Sequence, residues 1–137
     1  MKRFLLFTIV CMLLACTAMG LADENLLQNP GLEEVSGGRP VGWGEDMWLH
    51  DVGISYLEVR EGGKDGGYCV MIENVASNDA RFVQDVAVEP NTIYHLSGWV
   101  KAEDCNPMYA GASLSVIGMF KDFPEVHDTA GEWVLLE

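Results

Sequence analysis

After residue 22 no apolar residue recurs at helical spacing over a useful length, and this constrains the fold more than any other feature of the chain. What recurs instead is alternation with a period of two, in short segments closed off by glycine, proline, asparagine and aspartate. Strand side chains point to opposite faces in turn, so each such segment offers one side to a core and one to its surroundings. Several short strands joined by turns of this chemistry predict an all-β domain, an antiparallel β-sandwich, over residues 23–137.

The segments follow in order. Asn29-Pro30-Gly31 turns the chain after a short apolar entry, and Ser36 to Pro40 turns it again before Val41–Leu49, which carries Trp43 and Trp48. Ile54–Arg60 alternates, with Ile54, Tyr56 and Val59 assigned to one side and Ser55, Leu57 and Arg60 to the other. Glu61–Gly67 holds four glycines and mixed charge and reads as a loop; it lacks the following helix that a phosphate-binding loop needs. Tyr68–Glu73 and Arg81–Val88 are strands, and Glu89-Pro90-Asn91 leads into Thr92–Ala102, so the last two segments are expected to pair as an antiparallel hairpin. Ala112–Phe120 is a further strand. Trp133–Glu137 begins another, so the domain is expected to be cut off within its final strand.

Lys2 and Arg3 precede an uncharged run from Phe4 to Ala15, the pattern of a secretory signal over residues 1–22 and too short for a permanent membrane span. Two cleavage sites compete. Leu13-Leu14-Ala15-Cys16 resembles a lipobox with Cys16 as the lipidated residue, and Gly20-Leu21-Ala22 suits ordinary signal peptidase cleavage. The expected location is therefore secreted or cell-surface, with membrane association only through a lipid anchor. Eight Lys and Arg stand against 21 Asp and Glu, a formal charge of −13 that becomes more negative when Lys2 and Arg3 leave with the signal. Nucleic acid is a poor partner for such a surface, because its affinity comes mostly from neutralised phosphates. Only Cys69 and Cys105 lie beyond the leader, and the sequence is compatible with one bridge or two thiols.

The segment T-I-Y-H-L-S-G-W-V-K-A, residues 92–102, places Tyr94, Leu96, Gly98 and Val100 on one side and His95, Ser97, Trp99 and Lys101 on the other. The first set suits a core. The second, with an indole among polar groups, suits contact with a ligand, although a slip of one residue would exchange the two faces. Catalysis finds less support. Glu73, Asp85, Glu103 and Asp104 sit in no motif that aims two acids at one bond. His50, His95 and His127 lack metal-ligand spacing.

Taken in order, N-L-L-Q-N-P-G-L-E, P-V-G-W, G-Y-C-V-M-I-E-N, F-V-Q-D-V-A-V-E-P-N-T-I-Y-H-L-S-G-W-V-K-A and G-E-W-V-L-L resemble the carbohydrate-binding modules of families four, nine and twenty-two over nearly the whole chain after the leader. The resemblance implies a galactose-binding-like jelly roll that binds polysaccharide or oligosaccharide without catalysis, commonly linked to a secreted glycoside hydrolase. It also implies a structural calcium near Glu33, with a further acidic ligand from a final strand that this sequence does not contain. Pyranose rings pack their C–H faces on aromatic rings and need fixed polar partners around them. Trp99, His95 and Lys101 are the first candidates for that role, followed by Trp48 and Tyr109. Gln84, matching a recurrent glutamine of the pattern, is a weaker candidate, since it shares a face with Phe82 and Val86 and its amide needs partners there. Trp43 and Trp133 are expected to be structural. The competing reading is a structural or adhesive jelly roll that contacts protein; a small hydrolase comes third.

Overall fold

A computed structural model describes residues 24–119 and 123–137, so the signal segment and Cys16 lie outside the described residues. Within them the protein is all-β, with antiparallel pairing throughout and no helix. β1 (Val35–Ser36) and β2 (Arg39–Pro40) form a tight hairpin over Gly37 and Gly38. Both glycines have positive φ, 60° and 79°, as the hairpin turn that matches strand twist requires. β3 (Gly44–Met47) pairs with β6 (Ala80–Val83), and Arg81 meets Asp46 directly across this ladder at 2.9 Å. β4 (Ser55–Glu61) and β5 (Tyr68–Asn74) make the longest pair, unbroken from Ser55 opposite Asn74 to Glu61 opposite Tyr68. β7 (Gly98–Val100) pairs with β10 (Val134–Leu136), and β8 (Ala112–Ser113) with β9 (Glu125–Val126). β6 lies against both β4 and β5.

Ladders are short, and side-chain amides join the pieces that ladders do not. Gln84 accepts from the Gln28 amide at 2.7 Å and donates to the Gln28 carbonyl at 2.9 Å, reproducing with a side chain the two bonds of a β-bridge. Its second N–H goes to the Gly42 carbonyl, also at 2.9 Å. Asn78 does the same to Leu49, at 2.9 and 3.0 Å, and Asn29 to Glu34, at 3.1 and 2.9 Å. Asn29 adds a bond to the Val41 carbonyl, and its own carbonyl accepts from the Trp43 indole. Its φ of 49° is a left-handed conformation that asparagine tolerates better than most residues. The Asn-Pro-Gly turn is thus tied to the second turn, with Trp43 as the anchor its position predicts.

Four expectations are corrected. Arg81–Val88 and Thr92–Ala102 do not pair: the first is laddered only to Val83 and joins β3, the second only over Gly98–Val100 and joins β10. The physical reason lies between them, where Gln84 turns to Gln28, Pro90 has no N–H to offer and the Glu89 amide donates to the Tyr94 hydroxyl. Tyr94 and Leu96, expected in the core, are consequently exposed. Of the expected strand Ala112–Phe120, the described residues 112–119 are laddered only at Ala112–Ser113. In β4 the unbroken register holds strict alternation, so Leu57 and Val59 share a face, opposite the one that carries Tyr56 and Arg60. The most buried positions are Pro40, Ala102 and Leu136. Both Cys69 and Cys105 are unbridged thiols.

The Gln84 bridge gives a direct test. Gln84→Glu keeps the shape but turns a carboxylate toward the Gln28 and Gly42 carbonyls, and is expected to lower the unfolding free energy by about 1–3 kcal/mol. A lower urea midpoint with an unchanged slope is the expected record. Asp85→Asn, next along the chain, is expected to stay within about 0.5 kcal/mol of the wild type.

Candidate functional site

On β7 the side chains alternate as residues 98–100 predict. Gly98 and Val100 are half-buried, and a side chain at Gly98 would collide with Leu114 beneath it. Trp99 points the other way and is 48% exposed. β10 follows suit: Leu136, opposite Gly98, is buried, while Leu135, opposite Trp99, is 45% exposed. The ladder ends at Val100 opposite Val134, but burial still alternates through exposed Lys101 and buried Ala102, and the Lys101 ammonium lies 5.8 Å from the Trp133 ring centroid, which brings Trp133 to the Trp99 side. Two indoles therefore sit diagonally on one face. Around them are Lys101 with Glu103 at 3.9 Å and His95 with Glu137 at 3.4 Å, exposed pairs that contribute little stability but offer both donors and acceptors at the rim.

Trp99 itself carries a cation that no local pattern in the sequence marks. The Lys64 ammonium lies 4.3 Å from the Trp99 ring centroid, with Asp65 Oδ1 at 3.1 Å from the same nitrogen. Lys64 comes from the glycine-rich loop between β4 and β5. Gly62 and Gly63 donate to the Gly67 carbonyl and Gly66 to the Gly63 carbonyl, each at 2.9 Å, and Gly62 and Gly66 take positive φ near 90°. Behind the loop stands Glu33. Both of its carboxylate oxygens accept from the Tyr68 amide, at 3.1 and 3.2 Å, and the carboxylate fills the space a Cβ on Gly67 would need. The N-terminal turn thus fixes the loop, and the loop sets Lys64 over Trp99.

In this structure the Glu33 carboxylate is turned to a backbone N–H. A hard cation calls for several converging oxygens. Glu33 faces an N–H donor, and among the described residues no three His, Cys, Asp or Glu side chains gather as metal ligands.

The remaining candidates fall elsewhere. Trp48 is 77% exposed just after β3, its amide bonded to the Asp79 carbonyl at 2.8 Å. Tyr109 is an exposed side chain in the loop before β8, with its carbonyl 2.9 Å from His127 Nε2. Gln84 borders a shallow cleft of about 560 Å³ shared with Leu26, Val83 and Val86, but both its N–H groups are already donated to backbone. Trp133, expected to be structural, is half-buried and joins the Trp99 face. Its signal was present in G-E-W-V-L-L, where Trp133 and Leu135 alternate together. No comparable local signal marks Lys64, whose partner is brought to it only by folding.

Beneath the face, Cys69 at the start of β5 is close enough to Lys101 to feel its charge. Burial pushes the Cys69 thiol up from its ordinary value, and Lys101 draws it part of the way back. No protein-family model, no curated protein and no solved structure matches this chain.

The contact between Glu33 and Gly67 is open to a double-mutant cycle. Gly67→Ala presses a methyl into the Glu33 carboxylate and is expected to destabilise the fold. Paired with Glu33→Ala, which vacates that space, its cost is expected to fall by ~0.5 kcal/mol or more. Urea unfolding of the four proteins reads the coupling, and strict additivity would show that the two groups do not press on each other.

Proposed function

We propose that this chain is a non-catalytic carbohydrate-binding module, a β-sandwich of jelly-roll type, that holds polysaccharide on the outer face of β7 and β10. The observation that carries the reading is the pair of indoles, Trp99 and Trp133, on one face, with Leu135 beside them and donors and acceptors around the edge. An exposed indole gives a pyranose ring an apolar surface for its C–H groups, and ammonium and carboxylate groups at the rim match its hydroxyls in both hydrogen-bonding senses. The ordered motifs of the sequence support the same assignment. The role is to concentrate an attached enzyme, of glycoside hydrolase type, or a cell on its polysaccharide, with tethering to another module compensating for weak individual contacts. Export through residues 1–22, with or without a lipid at Cys16, places the module where such polymers occur.

A second reading, an adhesive domain that contacts protein, draws on a separate observation. Val52, Ile93 and Met108 are 84% or more exposed. Exposed apolar side chains suit a protein contact where they gather into one patch.

Affinity electrophoresis against soluble β-glucan, xylan and mannan separates the two. At least one polymer is expected to retard the wild type. Trp99→Ala is expected to weaken retardation by about tenfold or more, a loss of roughly 1.4 kcal/mol, with an unchanged circular dichroism spectrum. Trp133→Ala is expected to weaken it as well. Loss of folding in Trp99→Ala would return that residue to the core, and retardation by no polymer would favour the adhesive reading.

A further inference from the structure

We infer that Lys64 is an intramolecular competitor for the open face of Trp99, and hence the residue that sets how tightly the platform holds a glycan. The inference rests on the reading of Trp99 as a sugar platform. At 4.3 Å from the ring centroid the ammonium is well within the range of cation–π attraction, and it occupies the space that a stacked pyranose needs. The position is built rather than casual. Three backbone hydrogen bonds close the loop, two of its glycines hold left-handed φ, and Glu33 secures its far end at the Tyr68 amide.

Displacement is easy. The four-carbon stem of Lys64 rotates without backbone movement, and Asp65 Oδ1, 3.1 Å from the ammonium, belongs to the same loop and remains its partner outside the platform. No charge is left buried and unpaired, because Lys64 is itself solvent-exposed. Glycan binding therefore gives up one exposed cation–π contact, equivalent to about 2- to 5-fold in affinity. Trp133 differs: Lys101 stands off at 5.8 Å, near the limit of the interaction, so the competition is weaker there.

Two substitutions in the full chain test this in opposite directions. Lys64→Ser removes the ammonium and is expected to bind the retarding glycan about 2- to 5-fold more tightly than the wild type. Lys64→Arg substitutes a guanidinium, which stacks better on an indole, and is expected to bind more weakly. Weaker or unchanged binding by Lys64→Ser would overturn the inference; a weaker one would make Lys64 a ligand contact. A glycan-free readout keeps the two ideas apart. The ε-methylene protons of Lys64 are expected to be shifted upfield by the Trp99 ring current and to return to ordinary values in Trp99→Leu. Absence of that shift in the wild type overturns the competitor whatever the glycans do. Retardation by no glycan overturns the platform reading, and the competition with it.

Discussion

Both oxygens of the Glu33 carboxylate accept from the Tyr68 amide, and the group is seated against a residue with no side chain of its own, Gly67. A carboxylate on backbone N–H is a charge-assisted contact, here an exposed one in which a single N–H is shared between both oxygens. Its consequences run outward in two directions. Toward the N-terminus it holds the Asn-Pro-Gly turn, already tied by Asn29 to Glu34 and Val41. Toward the site it fixes the end of the loop that carries Lys64 to Trp99. Without this bond the β4–β5 hairpin would keep its ladder, but the position of its loop over the neighbouring strand pair would lose its support.

The same logic explains how five two-stranded pairs make one body. A lone two-stranded hairpin is marginal in water. Here Gln84 and Asn78 each grip both the N–H and the C=O of one distant residue, giving a bridge where no strand continues, and Asn29 closes a turn on Glu34 in the same way. Such bridges are specific, because only an amide presents a donor and an acceptor side by side. They also direct the chain: once Gln84 has turned to Gln28, the segment after it is not available to β7, and β7 is left to β10.

How much of this was legible follows from the range of each determinant. Ile54–Arg60 and Tyr68–Glu73 are readable as strands, each within a residue of β4 and β5 at either end, because period-two alternation and the glycine loop are both local. The outward face of Trp99 is legible because Gly98 and Val100, which pack inward, are its immediate neighbours. Tyr94 and Leu96 read as core and are exposed for the opposite reason. Alternation says which side chains share a face only while a ladder persists, and Pro90 with the Glu89–Tyr94 hydrogen bond ends the pairing that would have extended it. The Gln84 bridge, the Glu33 contact and the Lys64–Trp99 pair span 56, 35 and 35 residues of sequence, and nothing within a local window announces them. Gln84 and Glu33 stand out locally as motif residues, but the backbone groups they hold, at Gln28 and Tyr68, are set by the fold.

The proposed platform is thus a by-product of how little of the surface the strands cover and how firmly the turns are tied. An acidic chain presents one face on which two indoles are accompanied by lysines, and the lysines are themselves accompanied by carboxylates. Such a face suits a ligand that is neutral and rich in hydroxyls. Everything in this account depends on Trp99 pointing away from Leu114. Nuclear Overhauser contacts of the Trp99 indole in the full chain test that most directly: the account predicts contacts to the Leu135 methyls across the β7–β10 pair, whereas contacts to the Leu114 or Leu136 methyls would place the ring inside and contradict it.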